Sequence, residues 1–401
     1  MGYKVPLASL RLAEAELVAV MDVLKSTMVS QGRAVADFEA ALAEQVGVSH
    51  AVMVNSGTSA NMIALEAVAH LSRMRPDALP RSLDRGDEAI IQGLCWPTTL
   101  TPLLNQGLVP VFCDIDPITL NAGVAQIAAA RTARTKMVIA VPVLGNPGHL
   151  EQVKAYCEAE GLIFVEDSCE SMGAITEQGH QVGSLGLTAA FSFFISHHIT
   201  TIEGGAVLTD DPLLAQIARA LRAHGWSREL DREQIPFEIP DGIDPRFHFL
   251  LPGYNVRSTN LNAAIGLEQL KRHPGWLDDR RRLASGRIAA LADLVDKVII
   301  PGVECADRHS WMAFPMRLPD RQSRDRMVAA LEEAGVETRP VISGNILRHP
   351  LVDTLPLAEH QAVLPECDAI SQTGLMIGMD PDMDDDREAY LHQALRDALE
   401  A

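Results

Sequence analysis

Residues His50 to Leu71 read HAVMVNSGTSANMIALEAVAHL. The apolar run His50–Val54 predicts a buried strand, and the apolar spacing over residues 58–71 predicts a helix. The two meet at NSGTSAN, Asn55 to Asn61, where Gly57 lets the backbone turn tightly. The free N–H groups of Thr58 and Ser59 would then face an anion at the helix N-terminus, assisted by the helix dipole. The hydroxyls at positions 56, 58 and 59 add donors. An ordinary strand-to-helix turn with a serine cap has the same composition, so the segment alone leaves both readings open.

Working outward, the same alternation recurs. Further strands are predicted at Glu88–Gln92, Val109–Cys113, Met137–Val143, Leu162–Glu166, Ala189–Phe194 and Ala206–Thr209. Helices are predicted over 122–131 and 148–160, and ahead of the first strand over 11–25 and 34–46. Such alternation implies an α/β fold with a mostly parallel sheet covered on both faces. Sheets of this kind bind ligands beyond the carboxyl ends of their strands. A helical stretch from Thr259 to Arg272 is predicted to end at His273-Pro274. Beyond it, residues 277–293, 321–334 and 383–400 read as helices, and 296–300 and 311–317 as strands. The expected division is a large domain over residues 1–274 and a smaller α/β domain over 275–401.

Composition narrows the function classes. The chain has 401 residues, 47% hydrophobic and 22% charged, with a net charge of −19. A nucleic-acid groove needs a basic face, and no stretch supplies one. No apolar run approaches the roughly 20 residues of a membrane span. Glu14 and Glu16 interrupt the N-terminal region, so no secretory signal is read there. Six cysteines, at 95, 113, 157, 169, 305 and 367, are scattered with no C-x-x-C pair, which predicts reduced thiols in a cytoplasmic protein.

Two further segments carry chemistry. VEDSCES, Val165 to Ser171, closes an apolar strand. Its two adjacent acids fit a solvated turn, or an Asp167 that pairs with a protonated pyridine nitrogen and makes the ring an electron sink. FSFFISHHITTIEGGAV, Phe191 to Val207, ends a strand in His197 and His198. Paired histidines suggest a metal, but neighbours on a strand face opposite ways and no carboxylate or cysteine stands at ligand spacing. No metal site is expected.

These three segments, in this order, resemble the DegT/DnrJ/EryC1/StrS sugar aminotransferase family of fold type I pyridoxal-phosphate enzymes, which have the aspartate aminotransferase fold. Trp96-Pro97-Thr98-Thr99, GYNVRST from Gly253 to Thr259, and ETRPVISGN from Glu337 to Asn345 extend the resemblance along nearly the whole chain. The resemblance implies the following site. Gly57, Thr58, Ser59 and Ser192 hold the cofactor phosphate, with Asn255 reaching in from the other chain of a homodimer. Trp96 stacks on the ring, Asp167 binds its nitrogen, and Glu170 contacts its hydroxyl. Arg339, Asn345 and His224 are candidate contacts to substrate.

The sequence departs from the family at one decisive point. Five residues after Ser192, where the aminotransferases have lysine, stands His197. The six lysines are 4, 25, 136, 154, 271 and 297, so none lies between Lys154 and Lys271 to replace it. An imidazole cannot condense with an aldehyde, so pyridoxal 5′-phosphate or pyridoxamine 5′-phosphate would be held without a covalent bond. Histidine still moves protons near neutral pH. The replacement is similar to the 3-dehydratase branch of the family. That branch implies removal of the C3 hydroxyl from a nucleotide-linked 4-keto-6-deoxy sugar, with protonated His197 assisting its departure. L-Glutamate would return the amine to the cofactor. One subtype of this branch adds an iron–sulfur cluster through closely spaced cysteines, but none lies between Cys169 and Cys305 here. SHHITTIEGG and RAHGWSREL, Arg222 to Leu230, resemble instead the cluster-free subtype of colitose biosynthesis, whose substrate is GDP-linked. Two other readings stand beside it: a related enzyme acting on another nucleotide sugar, and a cofactor-binding pseudoenzyme.

Overall fold

A strand buried on both faces has no polar alternation, and the chain's central strands show why their runs are so uniformly apolar. In β2 (Glu88–Gln92) and β5 (Ile163–Asp167) every residue is buried. With β1 (His50–Val54), β3 (Val109–Cys113), β4 (Thr135–Ala140), β6 (Thr188–Ser192) and β7 (Gly205–Thr209) they form a seven-stranded sheet in the order β1-β7-β6-β5-β4-β2-β3. Neighbours from β3 through β6 pair in parallel, and β7 runs antiparallel to both β6 and β1. The computed structural model describes residues 2–9, 12–233, 235, 238–356 and 363–400.

Helices cover both faces of this sheet. They are α1 (Glu14–Ser26), α2 (Arg33–Val46), α3 (Gly57–Met74), α4 (Pro97–Asn105), α5 (Val124–Ala130), α6 (Leu150–Glu160) and α7 (Pro212–Arg222). One apolar core joins Ile63, Leu71, Leu103 and Ile217 to Val52, Ile91 and Val165. On the other face Phe38 and Leu42 pack with Phe191 and Phe193, and Val153 and Cys157 with Val138 and Phe164. Arg11, where the expected first helix begins, lies outside the described residues; α1 is described from Glu14.

A second, three-stranded antiparallel sheet has the order β8-β10-β9, with β8 (Ala313–Arg317), β9 (Thr338–Arg339) and β10 (Gly374–Gly378). Together with α9 (Arg321–Glu333), α10 (Pro365–Thr373) and α11 (Asp385–Glu400) it builds a smaller unit with its own core around Phe314, Leu331, Ile377, Leu391 and Leu395. Val5 from the N-terminus is buried in that core and bridges to Val336.

Three sequence expectations fail here. The predicted break at His273-Pro274 does not occur: α8 runs unbroken from Asn260 to Ala290 with Pro274 inside it. A mid-helix proline costs about 3 kcal/mol, but α8 buries Leu270 in the large unit's core and Leu283 and Ala284 in the small one, which outweighs that cost. The position chosen to divide the domains thus falls within a helix common to both units. The predicted strand at 296–300 is reduced to a single bridge between Ile299 and Arg317. The expected strand at Met137–Val143 likewise begins and ends earlier, as Thr135–Ala140.

Gly205 shows how tightly the strand ends approach one another. A Cβ there would lie 2.4 Å from the Ser56 carbonyl oxygen and 2.7 Å from that of Phe191, both backbone atoms with no room to yield. Gly205→Ala should therefore lower unfolding stability in urea by about 1–3 kcal/mol, the usual scale of overpacking. An unchanged urea midpoint and slope would show that β1 and β6 are not held as close as described.

Candidate active site

The carboxyl ends of β1, β2, β5 and β6 converge on one cleft of about 690 Å³. Its lining includes Gly57 and Thr58 after β1, Trp96 and Thr99 after β2, Asp167 and Glu170 at the end of β5, and Ser192, Ser196 and His197 at the end of β6. The small unit closes it with Met312, Arg339, Ile342 and Met376.

The floor is set by the start of α3. Ser56 caps this helix, its hydroxyl accepting from the Ser59 N–H at 3.1 Å. Gly57 lies so close to β6 that a Cβ would sit 2.6 Å from the Ser192 Cβ. The remaining first-turn donors, the N–H groups of Gly57 and Thr58, are left for a ligand at the positive end of an 18-residue helix. Ser59 departs from expectation. Its N–H serves the cap and its hydroxyl donates to Asn55 Oδ1 at 2.7 Å, so it stiffens the turn and is not among the cleft-lining residues.

Asp167 is the most firmly held acid in the cleft. One oxygen, Oδ2, accepts from Asn61 Nδ2 at 2.8 Å and from the Thr99 hydroxyl at 2.6 Å. Oδ1 accepts the Cys169 N–H at 3.3 Å. Asn61 and Thr99 both lie in segments singled out by sequence, but their role as orienting donors needs the fold to bring them to Asp167. The adjacent acid, Glu166, faces the other way. It is fully buried, taking the N–H groups of Gly183, Leu185 and Gly186 at 2.7–2.8 Å. The acid pair is thus one structural carboxylate and one directed into the cleft, and not a solvated turn. Glu170 accepts the Leu144 N–H at 2.9 Å, and burial, with Asp167 nearby, raises its carboxyl to about 7. Trp96, before Pro97 opens α4, leaves 55% of its surface uncovered on the cleft wall.

The two histidines separate as the sequence reading requires, although in a loop and not a strand, since β6 stops at Ser192. His197 enters the cleft; its Nδ1 is buried without a hydrogen-bond partner among the described residues. His198 turns into the protein, 3% exposed, and donates from Nε2 to the Ser310 carbonyl at 3.1 Å. Burial, with the Arg280 guanidinium adding like charge, lowers His197 to about 4. The resting imidazole is therefore neutral, a proton acceptor first and a donor only after it has accepted. Among the described residues no three His, Cys, Asp or Glu side chains converge as metal ligands, and no helix is long and apolar enough to cross a membrane.

Of the remaining candidates, Arg339 lines the cleft and is ion-paired with Glu337. Asn345 does not reach it: 2% exposed, its amide donates to Asp368 and its carbonyl caps the Leu347 N–H. Asn345 is thus engaged as a structural cap, away from the cleft lining. His224 lies outside the cleft in a left-handed conformation (φ 61°), edge-on to Trp226. Asn255 is exposed outside the same cleft, its backbone bridged to Ala223. Phe194 and Glu203 fall in the Phe191 to Val207 segment without having been assigned a role, whereas Met312 and Met376 come from other segments and no local motif marks them.

Comparison with known proteins places this architecture. The chain belongs to the DegT/DnrJ/EryC1/StrS aminotransferase family, whose sequence profile matches residues 11–396. Within it, the chain is 37% identical over 382 residues to GDP-4-keto-6-deoxy-D-mannose 3-dehydratase of Yersinia pseudotuberculosis, covering 93% of each chain. The crystal structure of the E. coli GDP-4-keto-6-deoxy-D-mannose 3-dehydratase with bound hydrated PLP superposes with a TM-score of 0.90 at 32% identity, covering 98% of this chain and all of that one. A GDP-4-keto-6-deoxymannose 3-dehydratase holding a trapped PLP–glutamate geminal diamine gives 0.89, again at 32% identity, with 98% of this chain and 100% of that one covered.

The site has a consequence for acid stability. Burial is the main cause of a lowered histidine at four positions: His197 to about 4, His273 and His309 each to about 3, and His198 well below its usual value. A depressed histidine contributes stability that is complete above the unfolded value near 6.5 and is lost as pH falls towards the folded value. Unfolding free energy should thus drop on going from pH 7 to pH 5, by about 1.4 kcal/mol per pH unit for each proton gained on unfolding. Urea titrations across this range test it. Glu170 and Glu166, both raised by burial, act in the opposite sense over the same range. The test is therefore read from the histidine C2-proton shifts alongside: imidazoles that titrate at about 6.5 in the folded protein would mean that they are not held neutral.

Proposed function

We propose that this chain is a pyridoxamine 5′-phosphate-dependent nucleotide-sugar 3-dehydratase acting on a GDP-4-keto-6-deoxymannose-like substrate, with L-glutamate as amino donor. The observation that carries the reading is the end of β6. There His197 enters the cleft at the position where the family's lysine stands, and no lysine lines the cleft among the described residues.

The cleft fits a phosphorylated pyridine ring. The free N–H groups at the start of α3, with Thr58 and Ser192, form a cup for a phosphate. Asp167, oriented by Asn61 and Thr99, is placed to hold a protonated ring nitrogen. Trp96 offers an uncovered face for stacking. When bound, the aminated cofactor carries nitrogen to the sugar's C4 ketone and its ring accepts the electrons released at its 4′ carbon.

The protein's own residues supply the rest. Asp167 keeps the ring nitrogen protonated and so keeps the ring electron-poor. His197 starts neutral, takes the proton from the 4′ carbon, and in its protonated state gives it to the departing C3 hydroxyl. Water leaves, and hydrolysis releases the 3-deoxy-4-keto sugar and ammonia. The two electrons gained by the sugar come from the aminated cofactor, which would be left as the aldehyde and re-aminated by L-glutamate. A lysine there would hold the aldehyde form covalently between turnovers; the imidazole leaves it free for L-glutamate to re-aminate.

The reading includes a homodimer with shared sites. Leu17, Val18, Met21 and Leu24 on one side of α1 are 46–52% exposed, an apolar surface suited to burial against a second copy. Asn255 is exposed and outside its own cleft, as a residue serving the neighbour's phosphate must be. The domain division near residue 274 is retained as a division of cores, with α8 passing between them.

Purified protein incubated with glutamate, cofactor and a panel of 4-keto-6-deoxy nucleotide sugars should yield, by mass spectrometry, the 3-deoxy product and equimolar ammonia, with the GDP-linked substrate fastest. Preference for another nucleotide would favour the related-enzyme reading, and no turnover of any sugar would favour a pseudoenzyme. For the dimer, mixing Asn255→Ala chains with His197→Asn chains should give heterodimers with one weakened cofactor site and one normal. Two equal sites would rule out sharing.

A further inference from the structure

Glu170 faces a chemical conflict in the site described above. The inference that follows rests on the proposed cofactor reading, in which this side chain meets the ring hydroxyl. That hydroxyl oxygen carries negative charge when the ring nitrogen is protonated against Asp167. An ionised carboxylate accepts hydrogen bonds and cannot donate one. Two acceptor oxygens facing each other in a buried cleft repel unless a proton lies between them.

The surroundings do not relieve the conflict with a cation. On its own segment, Glu170 follows Asp167 and Cys169, both without positive charge. Cys95 is buried after β2. From the loop after β6 comes His197, which rests neutral. Ahead of β7 stands Glu203, another acid. From the small unit, Arg339 is the cation lining the cleft, and Glu337 already pairs with it. Among the described residues, the one donor to Glu170 is the Leu144 N–H on Oε2. Leu144 holds a left-handed conformation (φ 53°, ψ 16°), and its carbonyl is tied to the Met312 N–H at 2.9 Å. A bulky residue in that region is held there at a cost, and here it fixes one carboxyl oxygen while leaving the other for the cleft.

We propose that Glu170 works as a neutral carboxylic acid in the loaded enzyme, donating its own proton to the ring-hydroxyl oxygen, so that one proton is shared by the two groups. Holding that proton at neutral pH fits a carboxyl raised by burial. The shared proton neutralises the ring oxygen while Asp167 neutralises the ring nitrogen. The two acids at the end of β5 thus have opposite protonation states, and their environments set them apart.

The consequence is a proton taken up when cofactor binds at alkaline pH, because free Glu170 is then ionised and bound Glu170 is not. Calorimetry of pyridoxal 5′-phosphate binding at pH 8.5, in buffers of different ionisation enthalpy, reads this directly. Wild type should take up close to one proton more than Glu170→Gln, whose amide is a permanent donor of nearly the same shape. Wild-type affinity should fall up to tenfold per pH unit above neutrality relative to the variant, and the bound cofactor's absorbance should show a one-proton transition that the variant lacks. Melting curves of both chains confirm equal folding. Equal proton uptake and identical absorbance titrations in the two chains would overturn the shared proton, with the cofactor reading left standing. Failure of both folded chains to bind cofactor would overturn the cofactor reading and this inference with it. The wild-type measurement decides even if the variant is unstable: uptake of no proton beyond that of the cofactor's own phosphate contradicts the proposal.

Discussion

An imidazole has no amine to offer an aldehyde, and the chemistry of the whole cleft is arranged around that restriction. With His197 where a covalent anchor stands in related aminotransferases, the proposed reading leaves retention of the cofactor to the start of α3, to Asp167 and to the face of Trp96, all of which line the cleft. The close approach of Gly57 to Ser192 makes the cup possible, because any side chain at 57 would push the helix away from β6. The same geometry repeats at Gly205, where the one reversed strand of the sheet is wedged between Ser56 and Phe191.

Protonation is distributed by environment. Asp167 accepts three hydrogen bonds, from Asn61, Thr99 and the Cys169 N–H. Glu170 receives one and is half-buried, and desolvation raises its carboxyl to about 7. His197 is half-buried, its Nδ1 shielded, and desolvation with the Arg280 charge lowers it to about 4. That assignment changes the order of events expected from a free histidine: the imidazole must accept before it can donate. In the proposed reading a single group takes a proton from carbon and returns it to a leaving hydroxyl, so no second acid is needed.

Much of this was legible in the sequence. The strands His50–Val54, Glu88–Gln92 and Val109–Cys113 were read to the residue, because doubly buried strands leave continuous apolar runs between turn residues. The cleft's principal side chains sit in short contiguous motifs at strand ends, so His197, Asp167, Thr58 and Trp96 were visible before any fold was known. Pro274 misled, since local preference argues for a helix end and only tertiary packing on both units keeps α8 intact. The surroundings of Asn345 were not legible either: its motif is recognisable, but its side chain bonds to Asp368 and Leu347, 23 and 2 residues away. The support of Asp167 by Asn61 and Thr99, 106 and 68 residues away, is a property of the sheet and has no local signature.

The replacement of an anchoring amine by an imidazole is tested most directly at His197. Rates of dehydration of the GDP-linked 4-keto-6-deoxy sugar should be compared for wild type and His197→Asn, each saturated with pyridoxamine 5′-phosphate. The variant keeps the phosphate cup and Asp167, so it should bind cofactor normally while dehydration falls by about 100-fold or more, the scale expected for losing a positioned acid–base group. Dehydration at the wild-type rate by the folded, cofactor-loaded variant would contradict the role assigned to His197.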